Sequence, residues 1–211
     1  MTVSTERTAA GTAAGTAAGT SAGTSAGTSA GTSAGTSAGT SAGPTAGSTA
    51  VPADEILRRT LRRHAAGVTV ITVPGPAGFT ATSFTSVSLE PALVSFCLGV
   101  TASTLPAVQA ADRFAVHVLG SGNAALARQF ARSGTDRFAG LSWTGGQDGL
   151  PLLDGVPAWL TARVTLRQRI GDHVLVVGEV EAGGGHGKGP ALVHHDGAFA
   201  TPVRLPPHTE E

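Results

Sequence analysis

Tyrosine is absent from this 211-residue chain, and aromatic residues make up only 4% of it. Its core must therefore be built largely from aliphatic and β-branched side chains. One cysteine, Cys97, is present, which excludes an intramolecular disulfide. It lies in an apolar run and is expected to be a small buried hydrophobe. Charge of neither sign is in excess: 14 Lys and Arg balance 14 Asp and Glu. That removes the basic footprint expected of a nucleic-acid partner or an anionic membrane surface. No apolar run is long enough for a membrane-spanning helix. The first residues are polar or tiny and carry no signal-peptide apolar region, so a cytoplasmic protein is expected. Between Val3 and Val51 no large apolar residue occurs. This stretch repeats AAGT and then SAGT, with glycine at every fourth position from Gly11 to Gly43. It cannot bury enough surface to offset its ordering entropy.

Residues 1–50 are therefore expected to form a disordered tail, 51–205 one domain, and 206–211 a short C-terminal tail. A helix is predicted over 53–65, with Asp54 and Glu55 in its first turn and Arg62, Arg63 and His64 in its last. Ile56, Leu57 and Leu61 would form its apolar stripe, and Gly67 would end it. Most other segments read as strands: 68–73, 93–98, 114–119, 159–170, 173–182, 191–195 and 198–202. In WLTARVTLRQRI, Leu160, Ala162, Val164 and Leu166 alternate with Thr161, Arg163, Thr165 and Arg167. Such alternation belongs to an antiparallel strand with one buried face. Asp196-Gly197 is a two-residue hairpin signal. Helices are predicted at 104–111 and at 123–132, the latter capped by Asn123. Many strands and few helices argue for a small β-barrel with helical additions.

Several chemistries have no motif here. There is no dinucleotide fingerprint, P-loop, zinc-protease helix or cysteine pair. The glycines of GGGHGKG (183–189) precede no helix and are not expected to hold phosphate. His194 and His195 are adjacent, so on a strand they point to opposite faces and do not chelate together. No metal site is expected. No acid, base or nucleophile constellation stands out, which favours an enzyme whose cofactor carries the reaction.

The densest chemical signal is GFTATSFTSVSLEPALVSFCL (78–98), where Thr80, Thr82, Ser83, Thr85, Ser86 and Ser88 crowd between apolar runs. Two readings stand: an edge strand with no ligand, or a surface for a flat, heteroatom-rich ring that needs hydroxyl and backbone partners at close range.

That segment, with AST (102–104), DRFAVHVL (112–119), DRFAG (136–140), GDH (171–173) and HDGAF (195–199), resembles the flavin reductase family. The six motifs follow in that family's order over about residues 58–202. The resemblance implies a mostly β fold, a split β-barrel of the FMN-binding type with a few short helices. It implies NAD(P)H-dependent reduction of FMN or FAD by hydride transfer. It also implies a homodimer and delivery of reduced flavin to a separate flavin-dependent monooxygenase. Alternatives from the residues are a non-catalytic flavin-binding module or another split-barrel flavin oxidoreductase, such as one acting on a pyridoxine-type phosphate.

Position by position, Thr82, Ser83, Phe84, Thr85 and Ser86 match the segment lining the flavin ring, with Ser88 and Leu89 just beyond. Ser103 and Thr104 match a phosphate-binding turn and precede a predicted helix, whose N-terminus attracts anions; an ordinary helix cap is the other reading. Arg137 matches a basic residue beside that phosphate. His173 matches the histidine beside the nicotinamide, making it the expected catalytic residue, with Gly171 and Asp172 shaping its turn. Gly197 and Phe199 match a closing hairpin on the nucleotide side. The chain departs from the pattern at His117, where many relatives have Asn, and at His195, where Tyr is frequent.

Overall fold

The computed structural model describes residues 50–185 and 187–206. The repeat region expected as a disordered tail, His186 and residues 207–211 lie outside the described residues. Helix α1 (Ala53–Arg62) precedes β1 (Ala66–Gly67), β2 (Thr69–Val73) and β3 (Ala77–Ala81). Then come β4 (Thr85–Leu89), β5 (Ala92–Gly99), α2 (Leu105–Ala110) and β6 (Arg113–Val118). A 3₁₀ turn at Ser121–Asn123 runs into α3 (Ala124–Ala131). β7 (Trp143–Gly145), β8 (Pro151–Leu153), β9 (Ala158–Ile170), β10 (His173–Gly184), β11 (Val193–His195) and β12 (Ala198–Ala200) complete the order.

Seven strands form one antiparallel sheet in the order β3-β2-β6-β9-β10-β5-β4. The sheet curls so that β3 near one end faces β5 near the other. Phe79 of β3 and Phe96 of β5 meet edge to face at 5.7 Å, and Phe96 meets Phe114 of β6 at 5.0 Å. No ladder joins β3 to β5 among the described residues. The seam is closed instead by Ser83, whose Oγ donates to the Cys97 carbonyl at 3.1 Å and accepts from the Cys97 N–H at 3.0 Å. This is the split barrel.

Each face of β2 has its own core, which is why TVITV is buried throughout. Ile71 and Val73 point into the barrel with Phe79, Phe96, Phe114 and Val176. Val68 and Val70 pack outside it with Leu119, Ala127, Phe130 and Leu192. β8 is tied to the barrel by polar groups. Thr72 donates to the Pro151 carbonyl at 2.6 Å, and the Leu153 N–H donates to His117 Nε2 at 3.0 Å.

The alternation on β9 holds only to Val164. Leu166 is exposed, and Arg167 lies on the side where a hydrophobe is expected. The cause is a β-bulge: Gly178 pairs with Val164 and Val177 with Leu166, leaving Thr165 unmatched. One extra residue inverts the facing of everything beyond it. Arg167 is thereby turned onto α2, where it donates to the carbonyls of Val108 and Ala111 at the helix end. Gly178 beside the bulge leaves room for Phe114, whose Cε1 stands 2.5 Å from where a Cβ would be.

Other expectations change in detail. α1 ends at Arg62, ahead of Gly67, and its Ile56, Leu57 and Leu61 are exposed, with no core laid against them among the described residues. Asn123 does not cap α3 through its side chain. It accepts from the Gly120 N–H and donates to the Gly155 carbonyl, so it fixes the preceding turn. Cys97 is half-buried rather than buried. The 183–189 glycines serve packing: a Cβ at Gly184 would meet the Trp159 indole at 3.0 Å, and one at Gly187 would meet Pro157 Cα at 2.3 Å. The hairpin at Asp196-Gly197 forms with φ of 47° and 81°, the positive pair that a tight two-residue turn requires.

Candidate functional site

Two cavities succeed one another along β3. The first, about 210 Å³, opens between Gly78 at the start of the strand, Ser103 and Thr104 ahead of α2, and Arg137 in the loop after α3. The second, about 270 Å³, continues from Phe79 through Thr80, Thr82 and Ser83 to Cys97 and Gly99 of β5, with His173 at its mouth. β3 supplies both because it is an edge strand whose far side carries no partner strand among the described residues.

In the first cavity, Arg137 donates through Nη1 to the Gly78 carbonyl at 2.9 Å, through Nη2 to Ser103 Oγ at 3.3 Å, and through Nε to the Arg132 carbonyl. A guanidinium has five N–H donors, so these three bonds fix its plane and leave two donors free. Thr104 is buried, and its Oγ1 is a buried polar atom with no hydrogen-bond partner among the described residues. α2 is six residues long, and Thr104 makes no side-chain cap to it. The hydroxyl is therefore not spent on the helix, which removes the plain-cap reading of the sequence.

In the second cavity, the β9–β10 turn places His173. Gly171 takes a φ of 60°, and the Val100 N–H donates to the Asp172 carbonyl at 2.9 Å, fastening the turn to β5. The Asp172 carboxylate accepts from His173 Nδ1 at 2.7 Å, and this hydrogen bond holds the Asp172 carboxyl below its ordinary range. That partner assigns a proton to Nδ1, so in the neutral ring Nε2 is an acceptor. Nε2 stands 3.9 Å from the position a Cβ on Gly99 would take, toward the cavity.

Of the residues expected at a site, Thr82, Ser83 and His173 share the second cavity, and Ser103, Thr104 and Arg137 the first. The Ser83 hydroxyl is committed to the barrel seam. Phe84 packs against the barrel core, and Thr85, Ser86, Ser88 and Leu89 run along edge strand β4 outside both cavities. Gly197 and Phe199 line a separate cavity with Arg128. Sequence reasoning missed Gly78 at the start of the hydroxyl-rich segment, and it counted Thr80 among the crowded hydroxyls without matching it to a position of the site. It also missed Gly99, which carries no local signal. A larger cavity, about 490 Å³ between 120–123 and 187–190, brings in Lys188 and none of the expected residues.

Residues 61–202 match the family described as "Flavin reductase like domain". The chain belongs to the flavin reductase family. An NADH:FMN oxidoreductase of Rhodococcus qingshengii is 45% identical over 157 residues, which cover 70% of this chain and 81% of that protein. Among solved structures, an NADH:FAD oxidoreductase of Streptomyces globisporus C-1027 superposes with a TM-score of 0.67 at 37% identity, covering 73% of this chain and 96% of that one. The flavin reductase component of a bacterial two-component tryptophan halogenase gives a TM-score of 0.66 at 34% identity, covering 72% and 99%.

The residues of this flavin reductase fit its cofactor. Thr104, with its unpartnered hydroxyl, and Arg137, with two donors unused, line one cavity beside Asp136, and both are groups that suit a flavin phosphate. A hydroxyl-lined slot follows in the direction the rest of the molecule would take.

Proposed function

We propose that this chain reduces FMN or FAD with NADH or NADPH, with the flavin phosphate at Ser103, Thr104 and Arg137 and the ring along Thr80, Thr82 and Ser83. The observation that carries this reading is the buried, unpartnered Thr104 hydroxyl beside Arg137, one step along β3 from the His173 cavity. Bound flavin supplies the redox chemistry, taking up the hydride that a dihydronicotinamide gives.

The protein's part is binding and orientation. The two free donors of Arg137 and the Thr104 hydroxyl hold the phosphate, and the charge-assisted bonds are the stronger ones. Ser83 holds β3 against β5 and so sets the width of the slot. Backbone groups of 80–83 then line the ring edge. His173, oriented by Asp172, accepts at Nε2 from the carboxamide N–H₂ of the nicotinamide. Holding both rings in register converts an encounter into a unimolecular step, which is worth several kcal/mol of barrier.

Reduced flavin passes to a separate oxygenase in this reading, supported by the likeness to the reductase component of a two-component halogenase. A homodimer belongs to the same proposal: Val87 and Leu89 on β4 and Leu166 and Ile170 on β9 are exposed apolar side chains. The proposed compartment is the cytoplasm; among the described residues no helix is long and apolar enough to cross a membrane.

The activity test is steady-state oxidation of NADH and NADPH with FMN, FAD, riboflavin or no flavin. Oxidation is expected only with flavin present; flavin binding without nucleotide consumption would leave a binding module. The phosphate assignment has its own test in Thr104→Val. That variant is expected to be more stable by about 1 kcal/mol, because a buried unpaired hydroxyl is removed. Its FMN affinity falls about tenfold while its riboflavin affinity is unchanged. Equal effects on FMN and riboflavin would move the phosphate elsewhere.

A further inference from the structure

Arg137 stands in no helix or strand. It lies in the loop between α3 and β7, at a turn where the Leu141 N–H donates to the Phe138 carbonyl at 3.1 Å. Among the described residues, no backbone-to-backbone hydrogen bond anchors 133–137. One helix holds the loop instead. Gln129, on the last turn of α3, sends both hydrogens of its side-chain amide there. Its Nε2 donates to the Arg137 carbonyl at 3.0 Å and to the Ala139 carbonyl at 2.9 Å. Both partners are carbonyl oxygens, so the chemistry of the contact sets which way the amide faces. The next residue, Phe130, is fully buried and meets Phe138 edge to face at 5.1 Å. Successive residues of α3 thus hold successive residues of the loop.

The same helix holds β3, which supplies the other wall of the first cavity. Thr80 donates through Oγ1 to the Ala127 carbonyl at 2.6 Å. Phe130 lies so close to Gly78 that a Cβ there would meet its Cε1 at 2.7 Å. Gly78 and Arg137 both line the first cavity, and both are referred to α3. Asp136, the acid beside them, has Oδ1 turned onto the Phe138 N–H at 2.9 Å. An arginine side chain is rich in rotamers, and ordering it weakens binding unless the protein has already done so. A brace at its own carbonyl fixes the point from which the side chain starts. Its fork then reaches the Gly78 carbonyl, Ser103 Oγ and the Arg132 carbonyl together.

We propose that Gln129 is a positioning residue for Arg137: its amide sets the guanidinium at the first cavity before any ligand arrives. This rests on the reading of that cavity as the seat of the flavin phosphate. Gln129 lines neither the first cavity nor the second, so it acts only through Arg137. Its loss is felt by FMN, which carries a phosphate, and not by riboflavin, which carries none.

The experiment uses the full chain, Gln129→Met, Arg137→Ala and the double variant. Methionine keeps the length of the side chain and its helix preference but has no donor. Fluorescence quenching gives the dissociation constants of FMN and riboflavin. Gln129→Met weakens FMN about fivefold and leaves riboflavin within about twofold. Gln129→Lys, which restores N–H donors at that position, falls between. In the Arg137→Ala background, Gln129→Met adds less than about twofold for FMN, because the group it places is gone. A residue that only supports the fold would weaken both flavins in step. That result, an unchanged FMN affinity, or full additivity in the double variant overturns the proposal. Should Arg137→Ala itself weaken FMN and riboflavin alike, the phosphate assignment fails first. The Arg137 Nε–H resonance of the ligand-free protein, identified by its loss in Arg137→Ala, then decides the brace. Faster solvent exchange of that signal in Gln129→Met supports it, and an unchanged signal overturns it.

Discussion

Replacing His117 with alanine lowers the melting temperature by about 10 °C, the largest stability loss expected from a single polar side chain here. His117 is fully buried on β6. Its Nδ1 donates to the Val70 carbonyl at 3.2 Å, and its Nε2 accepts from the Leu153 N–H at 3.0 Å. Truncation empties part of a close-packed site and strands both backbone groups. Each stranded group costs about 1–3 kcal/mol, and about 4 kcal/mol in total corresponds to roughly 10 °C for a domain of this size.

The same ring makes the fold acid-sensitive. Burial pushes the His117 pKa down from 6.5 to about 4, against a smaller opposing effect of its bond to Val70. The folded state thus holds the neutral ring, while the unfolded chain binds a proton below pH 6.5. Stability is complete above that value and drains as pH falls toward 4. Between pH 7 and pH 4.5 the loss is about 2 kcal/mol. Asp172 and Asp196, whose carboxyls are held below 3.8 by His173 and Arg62 respectively, titrate at still lower pH and stay out of this window. Urea unfolding at the two pH values checks the result. His117→Gln should flatten the difference, and a slope that survives the substitution would trace it to another group.

His173→Ala is expected to reduce kcat/KM for the pyridine nucleotide about thirtyfold, combining a lost hydrogen bond with a lost ring contact. Flavin affinity, followed by fluorescence quenching, should stay within about twofold. The split follows from position: His173 stands at the mouth of the second cavity, whereas the groups proposed to hold the phosphate lie in the first. Asp172→Ala should give a smaller loss in the same parameter, because it frees the imidazole to change tautomer without removing it. Matching losses in nucleotide and flavin would mean that the turn supports the barrel mouth rather than the donor.

The barrel was legible because its strands carry their own pattern. TVITV, FAVHVL and the opening of WLTARVTLRQRI announce themselves by β-branching and alternation. The inversion after Val164 was not legible, since a bulge is decided by pairing with β10 and by the space Gly178 leaves for Phe114. The hydroxyl-rich segment was half legible. Hydroxyls of 80–88 read as one surface, yet the chain turns between β3 and β4, so Thr80, Thr82 and Ser83 enter a cavity while Ser86 and Ser88 leave along an edge. Arg128 was invisible for a different reason. A lone arginine on a helix is ordinary, and the hairpin folding back from just over seventy positions later gives it Phe199.

The Ser83 hydroxyl links two strands that no backbone ladder connects among the described residues. Beside the Phe79–Phe96 contact, the Ser83 methylene and its oxygen are the polar tie across the opening between them. A substitution at position 83 would alter that tie while leaving the strand pairings of the sheet in place. In the proposed reading, tolerance of different isoalloxazine substituents would then depend on one side chain, separable from the ladders that keep the domain folded.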